Sequence, residues 1–231
     1  MDNESTWGGA PSTQREEGGA IFWGDPEWDA FARMPTPAGP QGEFPGANIL
    51  YGAAPKDVLE RLLNGDPLNL APMCLARLKE RAILWLPEHI LSLAMACVAR
   101  DAWEYRGQPE LSIWLRQRID KSIHIALTKA HTDEQNGVPA VESDLPLLDL
   151  LVEGFGIHPS RTRLALLHFH SLDPILRRTF QAIFVDGHTF EAYAASGAGT
   201  VAQLEDQIVY TAEFMVTFGD PECPDPLLGV V

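Results

Sequence analysis

His168 and His170 are the first residues to weigh for chemistry, because paired imidazoles can hold a metal or relay a proton. Their spacing argues against it. Residues two apart on a helix point to different faces and do not converge on one ion. The seven histidines show no Cys or Ser constellation of the triad type. Gly197-Ala198-Gly199 lacks the rest of a phosphate-cradling glycine pattern, and G-x-x-x-x-G-K-[ST] does not occur. Paired acids such as Glu16-Glu17, Asp133-Glu134 and Glu205-Asp206 read most simply as solvated surface. The three cysteines, Cys74, Cys97 and Cys223, are odd in number and widely spaced, which suggests neither a disulfide framework nor a zinc site. The expectation is a non-enzyme with no catalytic residue, metal, cofactor or small-molecule substrate.

Charge carries more information. The chain has 17 Lys plus Arg against 32 Asp plus Glu, for a net charge of −15. Residues 1–55, 56–131, 132–178 and 179–231 carry −6, +2, −3 and −8. No cation follows Arg178, while the last 53 residues hold eight carboxylates. Such a field repels nucleic acid over most of the molecule and favours basic protein partners. No run of about 18 apolar residues occurs, so no membrane span is expected. The acidic start Met1-Asp2-Asn3-Glu4 does not read as a signal peptide, which makes the expected location cytoplasmic.

The elements that must position these residues read as helices. Residues 1–55 hold 16 Gly plus Pro, so a disordered extension is expected there. One island, Gly24 to Arg33, has Asp25 to cap and Pro26 at a first helical position. Its Trp28 and Phe31, with Trp23 nearby, make either a docking peptide for a partner groove or aromatics that fold back on the protein's own core. Residues 56–131 repeat apolar positions at three- and four-residue steps: Val58, Leu59, Leu62 and Leu63; Leu75, Leu78, Ala82 and Leu86; Ile90, Leu91, Ala94, Met95 and Val98. Gly65-Asp66-Pro67 breaks the first helix, and Leu111, Trp114, Leu115, Ile119, Ile123 and Leu127 form a further stripe. Residues 132–159 read as a linker, 160–218 as a second helical block and 219–231 as an extended tail. With no strand alternation and no repeat, the fold class is all-α, in two small helical domains.

Two blocks of motifs resemble a bacterial RNA polymerase sigma factor of the extracytoplasmic-function (ECF) type. Leu62-Leu63-Asn64-Gly65-Asp66-Pro67 looks like the family's L-x-x-G-D, and Tyr105-Arg106-Gly107, six residues, then Trp114-Leu115 is similar to its aromatic-R-G…W-L signature. Leu172-Asp173-Pro174, Arg177-Arg178-Thr179-Phe180, Phe184, Asp186-Gly187 and Thr189-Phe190-Glu191 resemble region four, and Gly199-Thr200-Val201 resembles the G-T-V that opens its recognition helix. The resemblance implies a region-two-like domain over 56–131 and a region-four-like helix-turn-helix domain over 160–218. It further implies that Ile90, Leu91, Ala94, Met95, Trp114 and Leu115 contact polymerase core or an anti-sigma factor. Phe180, Phe184, Phe190, Tyr193, Val201 and Leu204 would frame the helix-turn-helix.

The departures shape the expected function. Family members place Lys and Arg after G-T-V, whereas Ala202-Gln203-Leu204-Glu205-Asp206 stands here. The turn Ser196-Gly197-Ala198-Gly199 is also about three residues short of the family pattern. The acidic helix that grips polymerase in the family aligns with His89-Ile90-Leu91-Ser92-Leu93, which keeps only the apolar half. Arg116, Arg118 and Lys121 could touch a phosphate backbone or an acidic partner, although a solvated helix face is the simpler reading. The expected function is a degenerate sigma-like regulator acting through protein contacts, with weak or lost promoter binding. A working ECF-type sigma factor and an acidic adaptor or scaffold on a sigma-like fold are the alternatives.

Overall fold

The computed structural model describes residues 47–50, 54–139 and 147–220, and the expectations for residues 1–46, the Trp23/Trp28/Phe31 peptide included, and for 221–231 lie outside them. Every regular element among the described residues is helical: α1 (Pro55–Leu63), α2 (Leu70–Arg81), α3 (Pro87–Asp101), α4 (Leu111–Gln135), α5 (Thr162–Ser171), α6 (Pro174–Phe180), α7 (Phe190–Tyr193) and α8 (Val201–Gly219). The ends of α6 and α7 widen into π turns at Gln181–Val185 and Ala194–Ala198. No described helix is long and apolar enough to cross a membrane.

Local chemistry explains the punctuation. Pro55, Pro87 and Pro174 sit at helix starts, where a missing N–H costs nothing. The Gly-Asp motif is a helix-opening device: Asp66 Oδ1 accepts the N–H of Leu70 at 2.7 Å and Oδ2 that of Ala71 at 2.8 Å. These bonds satisfy two orphan donors at the start of α2, and the carboxylate lies at the positive end of the helix dipole. α8 opens on a reciprocal capping box between Thr200 and Gln203.

α1 to α4 bury a first core of Val58, Leu62, Leu70, Cys74, Leu78, Ile90, Ala94, Val98, Trp114, Leu115, Ile119 and Ile123. The inward row of α2 is Leu70, Cys74 and Leu78, and Leu75, expected on that face, is exposed, as is Leu63. A second core gathers Leu151, Ile157, Leu166, Phe169, Phe180, Ile208 and Met215. Segments expected to lie outside the domains join these cores. Leu50, from the predicted extension, is buried in the first. Leu151 and Ile157, from the predicted linker, are buried in the second, because the apolar run around Leu147 to Val152 turns inward instead of spanning a gap. Burying a Leu or Ile side chain stabilises by roughly 1.5–3 kcal/mol, which a solvated linker would forgo.

The two predicted domains pack against each other within one compact unit that contains all described residues. Their seam is the α2–α3 loop. Ala82 ends α2 in the left-handed conformation, and Ile83 and Trp85 then turn into the first core while Leu84 enters the second. Arg177 Nη1 donates to the carbonyls of Arg81 at 3.0 Å and Ala82 at 3.3 Å, and the backbone N–H of Leu84 donates to His170 Nε2 at 3.1 Å. A second clasp joins α4 to α5, where Arg163 Nε donates to Glu134 Oε2 at 2.7 Å with both side chains largely buried.

Candidate protein-binding surface

The residues expected to meet polymerase or an anti-sigma factor lie inside the molecule. Ile90 and Ala94 are fully buried, Met95, Trp114 and Leu115 nearly so, and Leu91 packs against the same core. In this conformation these side chains hold α3 against α4 and are covered by the chain itself. Apolar helical spacing reports burial without saying which polypeptide supplies the cover. The aromatic-R-G…W-L signature is also a packing unit, with the Tyr105 and Trp114 rings 5.1 Å apart and the Arg118 guanidinium carbon 4.9 Å over the Trp114 ring.

Most of the expected nucleic-acid cations are turned to acids of the same chain. Arg118 lies 3.3 Å from Asp101 and 3.2 Å from Glu104, and Lys121 lies 3.2 Å from Asp101. Arg100 reaches Asp101 as well, at 2.7 Å. Burial pushes the Asp101 carboxyl up, but the Arg100 hydrogen bond and the charges of Arg100, Arg118 and Lys121 outweigh it and hold the group below the usual carboxylate range. Asp120 is a second hub, bound by Arg77 through two 2.7 Å contacts and by Arg81 at 3.1 Å. Of the three expected contacts, Arg116 alone is exposed with no ion pair among the described residues. Sequence reading missed both hubs, since Asp101 and Asp120 differ from solvated acids only through their three-dimensional neighbours.

The helix-turn-helix framework residues divide between core and rim. Phe180 and Leu204 are buried, Phe184 and Phe190 pack on the second core, and Tyr193 and Val201 are half-buried. The short turn is built by two glycines in the left-handed region, Gly197 at φ 91° and Gly199 at φ 144°, so that α8 begins two residues later. α8 then lies across α5 and α6, burying Leu204, Ile208, Thr211 and Met215. Thr179 Oγ1 donates to Gln207 Oε1 at 2.7 Å and pins α6 to α8.

The opposite face of α8 is the most distinctive surface among the described residues. It presents Ala202, Glu205, Asp206, Val209, Tyr210, Glu213, Val216 and Thr217, all exposed, with Val209 at 55% and Tyr210 at 52%. At 100° per residue these positions fall on one continuous arc. Beside it runs an aromatic row, Tyr210–Phe214 at 6.2 Å and Phe214–Phe218 at 4.9 Å, which ends where Phe218 stacks on buried His168 at 3.7 Å. His168 therefore faces α8, while His170 faces the α2–α3 loop. No group of three or more metal-ligating side chains occurs among the described residues.

The face is apolar and anionic. It offers carboxylates to cations and apolar contact to a helix or strand, and it provides no donor charge for a phosphate. No family model, curated protein or solved structure matches this chain.

Proposed function

We propose that this protein is a degenerate sigma-factor-like regulator that acts through protein contacts, with an anti-sigma factor or RNA polymerase core as the partner class. The observation that carries the reading is the outer face of α8. The helix stands where the sequence resemblance puts a DNA-recognition helix, opens on a Thr200–Gln203 capping box, and exposes Glu205, Asp206 and Glu213 with no Lys or Arg on the helix. Non-specific DNA affinity comes almost wholly from neutralising phosphates with cations, and base contacts need that anchoring frame.

A partner would engage outward surfaces such as this face, since the apolar α3 and α4 residues are internal. The Asp101 and Asp120 hubs support the same reading, because cations already paired release less counterion on meeting DNA.

Affinity purification of the full chain from its native host tests the proposal. Recovery of polymerase subunits or of an anti-sigma factor is the expected result, and recovery of neither overturns it. Promoter-specific transcription with core polymerase, steeply weakened by Arg116→Glu and Lys121→Glu, would instead establish a working sigma factor.

A further inference from the structure

Resting on that reading, we infer that the outer face of α8 takes a cationic amphipathic segment of a partner polypeptide, one that sets Lys or Arg beside a short apolar row. Val209 and Val216 form the apolar strip, with Glu205 on one side and Glu213 and Asp206 on the other, and Tyr210 lies beyond Asp206 at the edge of the arc. None of these three carboxylates has an ion-pair partner among the described residues, in contrast to Asp101, Asp120 and Asp133, which are each held by the chain's own cations.

Charge decides among occupants. The same face of a second copy would set three carboxylates against three, and like charges brought together across an interface cost several kcal/mol. Residues 1–55 of the same chain carry a net −6 and are repelled too. In the mildly basic stretch 56–131, Arg77, Arg81, Arg100, Arg118, Lys121 and Lys129 are engaged with the chain's own acids, and the exposed Arg116 is a single charge on α4 without an apolar row beside it. A cationic partner segment remains. The strip from Val209 to Val216 is about 10 Å long at 1.5 Å per residue, so two to three turns of partner helix cover it.

The test uses the full-length chain and two fluorescent 18-residue amphipathic peptides with the same apolar pattern, one Leu/Lys and one Leu/Glu, followed by anisotropy. The Leu/Lys peptide should bind and the Leu/Glu peptide should not. Asp206→Lys with Glu213→Lys should weaken binding about tenfold or more, as should Val209→Ser with Tyr210→Ser. Glu60→Lys with Glu88→Lys, an equal charge change on α1 and α3, should leave it within about twofold. Circular dichroism and thermal unfolding identify any variant that has lost the fold, and the two α8 pairs check each other. Failure of the Leu/Lys peptide to bind, binding unaffected by the α8 pairs, or equal loss with the α1/α3 pair overturns the inference. Host co-purification separates the two claims: polymerase or anti-sigma recovered equally well with the α8 charge-reversed pair overturns this inference and leaves the proposed function standing.

Discussion

His170 Nε2 accepts the backbone N–H of Leu84 at 3.1 Å, across 86 positions of sequence, and so fixes α5 to the α2–α3 loop. Burial holds this imidazole neutral, and the Arg177 guanidinium beside it acts in the same direction, lowering its pKa from 6.5 to about 3. Protonation would turn the acceptor into a donor facing another donor.

A pH dependence with a definite sign follows. Between pH 6.5 and about 3 the unfolded chain binds a proton at His170 that the folded chain refuses, so stability rises with pH across that window. The full contribution is present above pH 6.5, and each unit of acidification below it removes about 1.4 kcal/mol. Urea unfolding at pH 7, 6, 5 and 4.5 should show this slope. His170→Gln, whose amide oxygen can accept from Leu84, should flatten it by about one proton; an unchanged slope would show that another group sets the acid response.

The Arg163–Glu134 clasp makes a different prediction, because both side chains are mostly buried. Removing one partner strands the other charge, so Arg163→Met should cost about 3 kcal/mol in denaturant unfolding. The double variant Arg163→Met with Glu134→Leu should recover most of that loss, since an apolar pair of similar volume replaces a desolvated ion pair. Additive losses would mean that the hydrogen bond from Arg163 to the Val138 carbonyl is the stronger contribution.

Gly219 ends α8 hard against Ile157. A Cβ there would lie 2.7 Å from Ile157 Cγ2 and 2.9 Å from Cγ1. Gly219→Ala should therefore lower stability by about 1–3 kcal/mol, as overpacking does elsewhere. Ile157→Ala on its own should cost about 2–4 kcal/mol through the cavity it leaves. The double variant should cost less than the two together, because the removed carbons are those the new methyl strikes. Strict additivity in thermal unfolding would count against this packing.

For DNA, the full chain should give no gel shift with duplex at physiological salt, even at concentrations near 10⁻⁵ M, within the range where cationic modules bind non-specifically. Glu205→Lys with Asp206→Arg and Gln203→Arg should introduce weak, salt-sensitive binding. A sequence-specific shift by the unaltered chain would contradict the proposed function.

Much of the helical framework was legible in the residues. The three- and four-residue spacing of Val58 and Leu62, of Ile90, Ala94 and Val98, and of Trp114, Leu115, Ile119 and Ile123 marks the faces that are buried. Gly65-Asp66 marks a helix break whose carboxylate caps α2, and Thr200 marks the start of α8. Spacing could not say what covers an apolar face, and for Ile90, Met95 and Trp114 the cover in this structure is the chain's own first core. Nor could it show that Arg118 and Lys121 spend their charge on Asp101, because such pairing depends on helices meeting at distant points of the chain. The acid-only composition of α8 was visible, whereas its arrangement with Val209, Tyr210 and Val216 on one outward arc needed the burial of Leu204, Ile208 and Met215 to define it.

Ile83 and Trp85 belong to one core and Leu84, between them, to the other. A run of three neighbouring loop residues thus stitches both halves, and loosening either should loosen the other. Dissecting the gene at residues 140–146 would therefore leave Leu84 on one product and its pocket on the other, each with a freshly bared greasy patch. Deletion mapping of activity by halves would then report aggregation in place of function, so point variants on intact chains are the sounder genetics for this molecule.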